Sequence, residues 1–408
     1  MALPLEDIRV LELSQIMAGP FCGMVLADLG ADVIKVEKTE GGDDARGMGP
    51  PFAGGEGMGF FGMNRNKRSL ALDLKSPRGK EVFLRLAAGA DVVTENFRPG
   101  TLERLGLGYD VLREANPGVI LASISGFGHT GPYRDRGGFD LIAQGMSGVM
   151  SITGHPDSPP AKSGVPLSDL NAGLFLAIGI LSALHHRART GEGQRVETSL
   201  LEGAIAYTVW DAASFFGTGE VPGPVGSAHR VTAPYQAFRA KDGYFTLGSA
   251  NERNWQRLCE ALGRPELARD PRFATNADRK AHEKELEALL AAIFKERTVP
   301  EWLELLENSG VPCGPLYNME QVFADPHVRA REMVVELAHP RAGRVKHIGV
   351  PVKLSVTPGR LMRPAPLLGE HSPEVLREAG FSAEEVAALQ AEGVVRVVHP
   401  SPGAGPSL

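Results

Sequence analysis

The run Ile8-Arg9-Val10-Leu11-Glu12-Leu13 is the first of the apolar runs that predict the fold class. A loop, a helical stretch over about 20–29 and a second apolar run, Val33-Ile34-Lys35-Val36, follow it. Two short buried strands joined by a helix make a βαβ unit, in which the strands lie parallel. The beginning of the chain therefore predicts the first step of an α/β sheet.

The same alternation continues as far as a strand over 119–124. Further strands are predicted at 70–74 and 91–94, and the helix between them is capped by Ser76, begins at Pro77 and ends near Gly89. The pattern favours a doubly wound, mostly parallel, Rossmann-like sheet, which binds ligands at the carboxyl ends of its strands. The residues expected at those ends are Met17, Ala18, Lys38, Lys75, Asn96, Phe97 and Arg98.

Glycine marks the domain boundary. The chain has 49 glycines in 408 residues, against a usual level of roughly 7%, and they cluster at 41–62, 126–154 and 217–226. The last cluster has too many helix and strand breakers for the interior of an element. We therefore expect a large domain over 1–216, a linker over 217–226, a smaller domain over 227–330 and a C-terminal segment over 331–408 that returns to the large domain or reaches a partner subunit.

The smaller domain has an α+β pattern. Its hairpin runs from 234 to 248 and turns on Asp242-Gly243. Helices are predicted after Asn251, over about 277–296, and from the capping box that begins at Thr298 to Gly310. Two more helices are predicted around 373–379 and 383–391.

Composition narrows the class of protein. A net charge of −6, with 43% hydrophobic and 23% charged residues, is typical of a soluble globular chain without a nucleic-acid partner. No signal or transit peptide is legible, and the apolar stretch 170–184 is shorter than the roughly 20 residues of a bilayer crossing. We expect a cytoplasmic protein with no membrane partner. Three isolated cysteines, Cys22, Cys259 and Cys313, indicate neither disulfides nor a metal site.

A nicotinamide-dependent dehydrogenase is the first alternative, because Glu37 stands where an acidic residue would bind a ribose. The stretch from Ile16 to Gly23 cannot be written as Gly-x-Gly-x-x-Gly. Lys38 next to Glu37 also suits a phosphate better than a bare ribose. We expect no nicotinamide or flavin.

Asp169 is the candidate nucleophile. It lies in Val165-Pro166-Leu167-Ser168-Asp169-Leu170-Asn171-Ala172-Gly173, at the predicted start of a helix rich in small residues. Unpaired N–H groups and the positive end of the helix dipole would hold this carboxylate ionised. The simpler alternative is that Asp169 or Ser168 only caps the helix.

Several further motifs carry a resemblance over roughly 6–395. They are Leu11-Glu12-Leu13-Ser14, Ala18-Gly19-Pro20, the stretch Leu29–Glu37, Asn66-Lys67-Arg68-Ser69, Glu95-Asn96-Phe97-Arg98-Pro99-Gly100, Ser125-Gly126-Phe127-Gly128, Leu167-Ser168-Asp169, Thr190-Gly191-Glu192-Gly193-Gln194 and Pro366-Leu367-Leu368-Gly369-Glu370-His371. With them the chain resembles the class III coenzyme A transferases of the CaiB/BaiF type, which include formyl-CoA and carnitine-CoA transferases. Asn64-Arg65-Asn66-Lys67, the stretch Gly310–Pro315 and the C-terminal motif are most similar to succinate–glutarate (dicarboxylate) CoA-transferases.

The resemblance implies an interlocked homodimer that moves coenzyme A from an acyl-CoA, such as succinyl-CoA, to a small carboxylic acid, with Asp169 as nucleophile. It places CoA against Met17, Ala18, Lys38, Leu72, Asp73, Leu74, Lys75, Asn96, Phe97, Arg98 and Arg104. It places the substrate beside Phe139, Asp140 and the loop Gly248-Ser249-Ala250, which matches a mobile glycine-rich loop but has fewer glycines than the formyl-CoA type. Phe139 stands where that type has a tyrosine.

Two other functions stay open. The family also contains α-methylacyl-CoA racemases, whose motif has histidine before aspartate, whereas this chain has Gly138-Phe139-Asp140. His129 is nearby in a different register, and we interpret it as a loop residue. A non-catalytic CoA-binding protein would use Asp169 as a buried cap. The sequence does not fix the acceptor acid, nor which arginine, among Arg46, Arg65 and Arg136, would bind a second carboxylate.

Overall fold

The computed structural model describes residues 2–398. Its strands are, in chain order, β1 (Arg9–Glu12), β2 (Asp32–Glu37), β3 (Phe52–Ala53), β4 (Glu56–Gly57), β5 (Arg68–Leu72), β6 (Val92–Glu95), β7 (Ile120–Ser125), β8 (Arg195–Ser199), β9 (Tyr235–Arg239), β10 (Tyr244–Gly248), β11 (Cys313–Pro315), β12 (Val334–His339), β13 (Gly343–Ile348) and β14 (Val395–Arg396).

The α-helices are α1 (Ala18–Asp28), α2 (Met58–Asn64), α3 (Pro77–Ala87), α4 (Thr101–Arg104), α5 (Tyr109–Ala115), α6 (Asp140–Met146), α7 (Val149–Ile152), α8 (Leu167–Thr190), α9 (Leu200–Ala206), α10 (Val209–Thr218), α11 (Glu252–Ala261), α12 (Asn276–Ala281), α13 (Glu283–Phe294), α14 (Val299–Asn308), α15 (Met319–Ala324), α16 (Pro326–Ala330), α17 (Ser372–Glu378) and α18 (Ala383–Ala391). Short 3-10 helices lie at Asp44–Gly47 and Pro265–Arg269.

The main sheet has seven strands in the order β14-β5-β2-β1-β6-β7-β8. All neighbours are parallel except β14, which pairs antiparallel with β5. The chain proceeds from β1 to β2 and β5 on one side, and then crosses to β6 on the other side of β1. Strand order therefore reverses between β1 and β6, and ligands of such sheets bind in the crevice at this point. The predicted mostly parallel α/β sheet is confirmed.

Alternating residues of the strands pack into two apolar cores, one on each face of the sheet. Leu11, for example, packs with α3, α17 and α18, whereas its neighbour Val10 packs with α1 and α8. Gly173 brings α8 close to α1, because a Cβ at this position would lie 2.5 Å from the carbonyl oxygen of Ala18. The start of α8 is thereby held beside the start of α1.

The described chain divides into two compact units. The first contains residues up to Val149, Ser163–Ala213 and the C-terminal part from Pro326; the second contains Met150–Lys162 and Ser214–Asp325. The segment 150–162, expected in the large domain, belongs to the second unit, where the Gly226 N–H donates to the Gly154 carbonyl at 2.7 Å. Helix α10 also continues to Thr218, so the middle segment of the first unit, Ser163–Ala213, ends within a helix and before the glycine linker. Residues 399–408 of the predicted C-terminal segment lie outside the described residues.

The second unit has a three-stranded sheet, β11-β10-β9, with helices α11–α15. The predicted hairpin on Asp242-Gly243 and the capping box of Thr298 with Glu301 are confirmed. The single helix expected over 277–296 is wrong: the backbone leaves helical geometry at His282 (φ −111°, ψ 27°), which separates α12 from α13. Asn251 caps α11 by accepting the N–H of Asn254 at 2.9 Å.

Helix α8 is 24 residues long, which is longer than the apolar stretch read from the sequence. By length and composition alone it is able to cross a membrane, and 44% of its most apolar window is buried inside the protein. The argument from length against a bilayer crossing was therefore wrong, and the absence of a membrane partner stays a prediction.

Candidate active site

A pocket of about 350 Å³ opens where the strand order reverses. Its wall comes from the loops that follow β1, β6 and β7 and from the starts of α1, α6 and α8. The lining residues are Gln15, Ile16, Met17, Ala18, Asn96, Phe97, Arg98, Pro99, Ile124, Ser125, Gly126, Arg136, Gly137, Gly138, Phe139, Asp140, Asp169 and Leu200. The pocket thus contains Asp169 together with part of the predicted CoA site.

Asp169 is the third residue of α8 and lines this pocket. Among residues 2–398, no group donates a hydrogen bond to its carboxylate. Burial, and after it the charge of Asp140, raises the pKa of Asp169 to about 6. The sequence suggested a carboxylate held strongly ionised by the helix dipole, but burial and Asp140 oppose this effect. At neutral pH the group is still mostly ionised, and it is more basic than an ordinary aspartate.

The cap of α8 is Asp140, not Asp169. Asp140 Oδ1 accepts the N–H of Ser168, the second residue of α8, at 2.8 Å, and the residue before the helix, Pro166, has no side-chain cap to offer. Asp140 Oδ2 accepts a hydrogen bond from Gln144 Nε2 at 2.7 Å, and the fully buried Gln144 accepts the N–H of Ser163 at 2.8 Å. The cap-only interpretation of Asp169 is therefore wrong, and the capping residue is 28 positions upstream of its partner.

The loop after β1 is held in a strained shape. Ile16 has φ +70°, a left-handed conformation that is unusual for a β-branched residue. Its N–H donates to Asp43 Oδ1 at 3.0 Å. The side chain of Asn96 accepts the N–H of Gln15 at 2.8 Å and donates to the Gln15 carbonyl at 2.8 Å. Asn96 thus joins the β1 and β6 sides of the crevice, and Gln15 occupies one donor and one acceptor site of its amide.

A buried charge cluster, which the sequence analysis missed, lies beneath this loop. Glu12 accepts hydrogen bonds from Lys35 Nζ at 3.0 Å and from Lys67 Nζ at 2.9 Å, and all three residues are fully buried. Lys35 also pairs with Asp43 at 2.8 Å. Attraction to these carboxylates outweighs burial and raises the pKa of Lys35, so Lys35 stays charged. The cluster connects the sheet to the strained residue at the pocket.

Phe139 precedes α6 and is 74% exposed at the pocket mouth. Next to Phe139, the backbone of Gly138 is in contact with that of Gly126, because a Cβ on Gly138 would lie 2.4 Å from the Gly126 Cα. Only glycine permits this approach of the two loops. The aromatic ring offers no acid or base at this position.

The predicted CoA contacts divide into two groups. Met17, Ala18, Asn96, Phe97 and Arg98 line the pocket with Asp169. The remainder lie outside its wall, namely Lys38, Leu72, Asp73, Leu74, Lys75 and Arg104. Lys38 pairs with Asp44 at 2.6 Å, and Arg104 donates to the Thr101 hydroxyl at 2.8 Å, both on the protein surface.

The predicted substrate loop Gly248-Ser249-Ala250 belongs to the second unit. Gly248 is the last residue of β10, and the Ser249 N–H donates to the Pro234 carbonyl at 2.9 Å while its side chain is fully buried. Gly248 and Ala250 line a cavity of about 520 Å³ in that unit. Two of the three residues are therefore fixed by the sheet, and movement of this loop over Asp169 stays a prediction.

His129 is not a lining residue of the pocket. Its Nε2 lies 3.8 Å from Glu95 Oε1, and both side chains are largely buried. Burial raises the pKa of Glu95 to about 7 and lowers the pKa of His129. No histidine lines the Asp169 pocket in the described part of the chain, and between residues 2 and 398 there is no cluster of His, Cys, Asp and Glu that could hold a metal ion.

The sequence profile of CoA-transferase family III matches residues 5–372. The chain belongs to this family. It is 43% identical, over 92% of its length and 95% of the relative, to the succinate–glutarate CoA-transferase of Agrobacterium fabrum. It is 41% identical, over 96% of its length and 98% of the relative, to the succinyl-CoA–D-citramalate CoA-transferase of Chloroflexus aurantiacus.

Among solved structures, a CaiB/BaiF family protein from Brucella suis superposes with a TM-score of 0.84 and 41% identity, covering 93% of this chain and 100% of the other. The resemblance read from the sequence is confirmed, including its similarity to succinate–glutarate transferases. The protein is an enzyme of the CoA-transferase class, whose substrates are CoA thioesters.

Proposed function

We propose that this enzyme moves coenzyme A from an acyl-CoA, in the simplest case succinyl-CoA, to a small dicarboxylic acid, with Asp169 as the covalent nucleophile. The observation that carries the proposal is the Asp169 carboxylate itself. It lies in a pocket at the crevice of the sheet, it has no hydrogen-bond donor within residues 2–398, and its pKa is raised to about 6. The dicarboxylate part rests on the relatives named for succinate, glutarate and citramalate.

In every step of the proposed chemistry the reacting groups carry one negative charge, on a carboxylate or on the CoA thiolate. The Asp169 carboxylate attacks the thioester carbonyl, the C–S bond breaks, and a mixed anhydride and the CoA thiolate form. The thiol of CoA has a pKa near 8.5 by analogy with cysteine, so this leaving group needs no strong acid. The thiolate then attacks the aspartyl carbonyl of the anhydride, which releases the donor acid and leaves CoA on Asp169 as a thioester.

The second half reverses these steps with the acceptor. The acceptor carboxylate attacks the aspartyl thioester and expels the thiolate, and the thiolate then attacks the acceptor carbonyl of the new anhydride. Acceptor-CoA leaves and the Asp169 carboxylate is restored. Covalent catalysis replaces one difficult exchange by several easier steps.

The pocket favours transfer over the two alternative functions. A racemase needs an acid–base pair beside the carbon next to the thioester, and Phe139 supplies neither an acid nor a base at the position where the racemase motif has histidine. A non-catalytic binding protein was expected to use Asp169 as a cap, but Asp140 has that role.

Trapping with hydroxylamine tests the nucleophile. Acyl-CoA alone should leave an adduct that hydroxylamine converts to an aspartyl hydroxamate within the peptide containing Ser168–Asn171, detected by mass. Asp169→Asn should abolish both the adduct and transfer, with a loss of several orders of magnitude. Asp110→Asn, which changes an exposed aspartate in the first turn of α5, is the matched control and should keep full activity. A folded Asp169→Asn enzyme with near-normal turnover and no adduct would refute the assignment.

An interlocked homodimer is also part of this proposal. One side of α8 is buried against the sheet and α1, whereas the other side exposes Leu174, Phe175, Ile178 and Leu181, with exposed fractions from 36% to 58%. An exposed row of large apolar side chains is typical of a protein–protein interface. Sedimentation of the intact protein without detergent should give twice the chain mass, and a monomer would contradict the proposal.

A further inference from the structure

Three arginines were candidates for binding a second carboxylate, and their ion pairs separate them. Arg46 donates to Glu37 at 2.7 and 2.8 Å and to Glu56 at 2.8 Å. Arg65 is bound by Asp28 at 2.7 Å. Both guanidinium groups are buried and compensated within the fold, and removing a carboxylate from either would leave a buried charge unpaired. Neither is available to a ligand.

Arg136 has a different environment. It lines the pocket that contains Asp169, and in residues 2–398 no carboxylate lies within ion-pair distance of it. Its guanidinium carbon lies 4.6 Å from the ring centre of Tyr133 and 5.4 Å from that of Phe127. These cation–π contacts leave the N–H edges of the exposed guanidinium group without a hydrogen-bond acceptor among residues 2–398. Those edges match the two oxygens of a carboxylate.

The backbone fixes where this side chain begins. The Arg136 N–H donates to the Tyr133 carbonyl at 2.9 Å, which closes a turn before Gly137. Two residues later, Gly138 packs against Gly126, and Asp140 then caps α8. The segment that carries Arg136 is therefore tied at its far end to the helix that carries Asp169, and both residues line one pocket.

We propose that Arg136 binds the distal carboxylate of the dicarboxylic substrate while Asp169 reacts with the carbon at the other end. The inference rests on the proposed function and names the residue that sets its substrate class. Arg98 also lines the wall and has no ion pair within residues 2–398, but it follows β6, where the CoA contacts are expected. It is therefore assigned to CoA and not to the acid.

The test compares two acceptors of equal chain length, glutarate and pentanoate, with butyryl-CoA as a donor that has no second carboxylate. In Arg136→Gln we expect the preference for glutarate, measured as the ratio of the two kcat/KM values, to fall about 100-fold. The loss should come mainly from the KM for glutarate, because the distal carboxylate is bound in both ground state and transition state. Values for pentanoate should change less than about threefold, and Arg136→Lys should restore part of the preference.

The matched control is Arg134→Gln. Arg134 lies on the same loop, is exposed and pairs with Asp135 at 3.4 Å, so its loss should leave both acceptors unchanged. Hydroxylamine trapping on Asp169 with butyryl-CoA separates this inference from the proposed function. If Arg136→Gln traps normally but keeps its glutarate preference, or if Arg98→Gln and not Arg136→Gln removes that preference, the assignment of Arg136 is wrong and Asp169 stands. No adduct in the unmodified enzyme would refute the proposed function itself.

Discussion

Replacing Asp140 by asparagine tests whether this residue tunes the nucleophile as well as capping α8. The side-chain oxygen of the introduced asparagine can still accept the N–H of Ser168, but its NH2 group would face the NH2 of Gln144, whose oxygen is already bonded to Ser163. This mismatch of two donors should cost about 1–3 kcal/mol of folding free energy. The substitution also removes the negative charge that helps to raise the pKa of Asp169.

The size of the pKa change is bounded by the causes of the rise. The pKa of Asp169 increases from 3.8 to about 6, and Asp140 is the smaller of two causes. Removing its charge should therefore lower the pKa by less than about one pH unit, or less than about 1.4 kcal/mol. Attack requires ionised Asp169, so kcat/KM falls on the acid side of its pH profile. In Asp140→Asn this fall, the acid limb of the profile, should move to lower pH. At pH 5, activity relative to the plateau should rise from about a tenth to no more than about a half.

The assay is the pH dependence of kcat/KM for Asp140→Asn and the unmodified enzyme, over about pH 4.5 to 8, with urea unfolding to confirm that both remain folded. Asp110→Asn is the control for loss of an exposed carboxylate in the first turn of another helix and should leave the limb unchanged. An acid limb that stays in place or moves to higher pH in Asp140→Asn would show that Asp140 does not act on Asp169 through its charge.

Two further predictions concern the packing of the pocket. Asp169→Asn should stabilise the fold at pH 7 by up to about 3 kcal/mol, because burial disfavours the ionised carboxylate. The pKa of Asp169 is higher in the folded than in the unfolded chain. The difference in stability between the variant and the unmodified enzyme is therefore complete above about pH 6 and disappears towards pH 4. Urea unfolding at several pH values measures it, and equal stabilities at pH 7 would contradict the burial argument. Gly138→Ala should lower kcat/KM at least about tenfold and the free energy of unfolding by about 1–3 kcal/mol, since its Cβ would overlap Gly126. The control is Gly62→Ala, where a Cβ meets nothing within 4 Å; similar kinetics for the two variants would refute the packing argument.

The elements of the sheet were predictable because each carries its own local signal. The apolar run around Val10 and Leu11 packs into two cores on opposite faces of the sheet. Ser76 accepts the N–H of Gly79 at 2.9 Å and so caps α3, as its position before Pro77 indicates. Such patterns depend on neighbours in sequence. The strand order, in which β1 lies between β2 and β6, does not follow from the alternation of strands and helices, because doubly wound sheets occur in more than one order.

The supports of the site were not predictable, because they join residues far apart in the chain. Lys35 and Lys67 are ordinary surface charges by composition, yet both are fully buried on Glu12, 23 and 55 positions away. Asp140 caps a helix 28 positions downstream. A sequence shows that a charged residue is present, but its partner depends on which loops the sheet brings together. From the sequence, only Asp169 and Ser168, at the start of α8, were therefore considered as its cap, and Asp140 was not.

The same partner relations indicate which charges are available for chemistry. Asp43 and Asp140 each have both carboxylate oxygens engaged by the fold, whereas Asp169 has no donor among the described residues. Arg46 and Arg65 are compensated inside the protein, whereas the exposed Arg136 contacts aromatic rings and has no carboxylate partner in residues 2–398. A folded chain leaves a partly buried charge without a partner at a cost in stability. At one pocket this chain has such a carboxylate, Asp169, together with the exposed guanidinium of Arg136. A dicarboxylic acyl group offers a carbonyl carbon to the first and a carboxylate to the second.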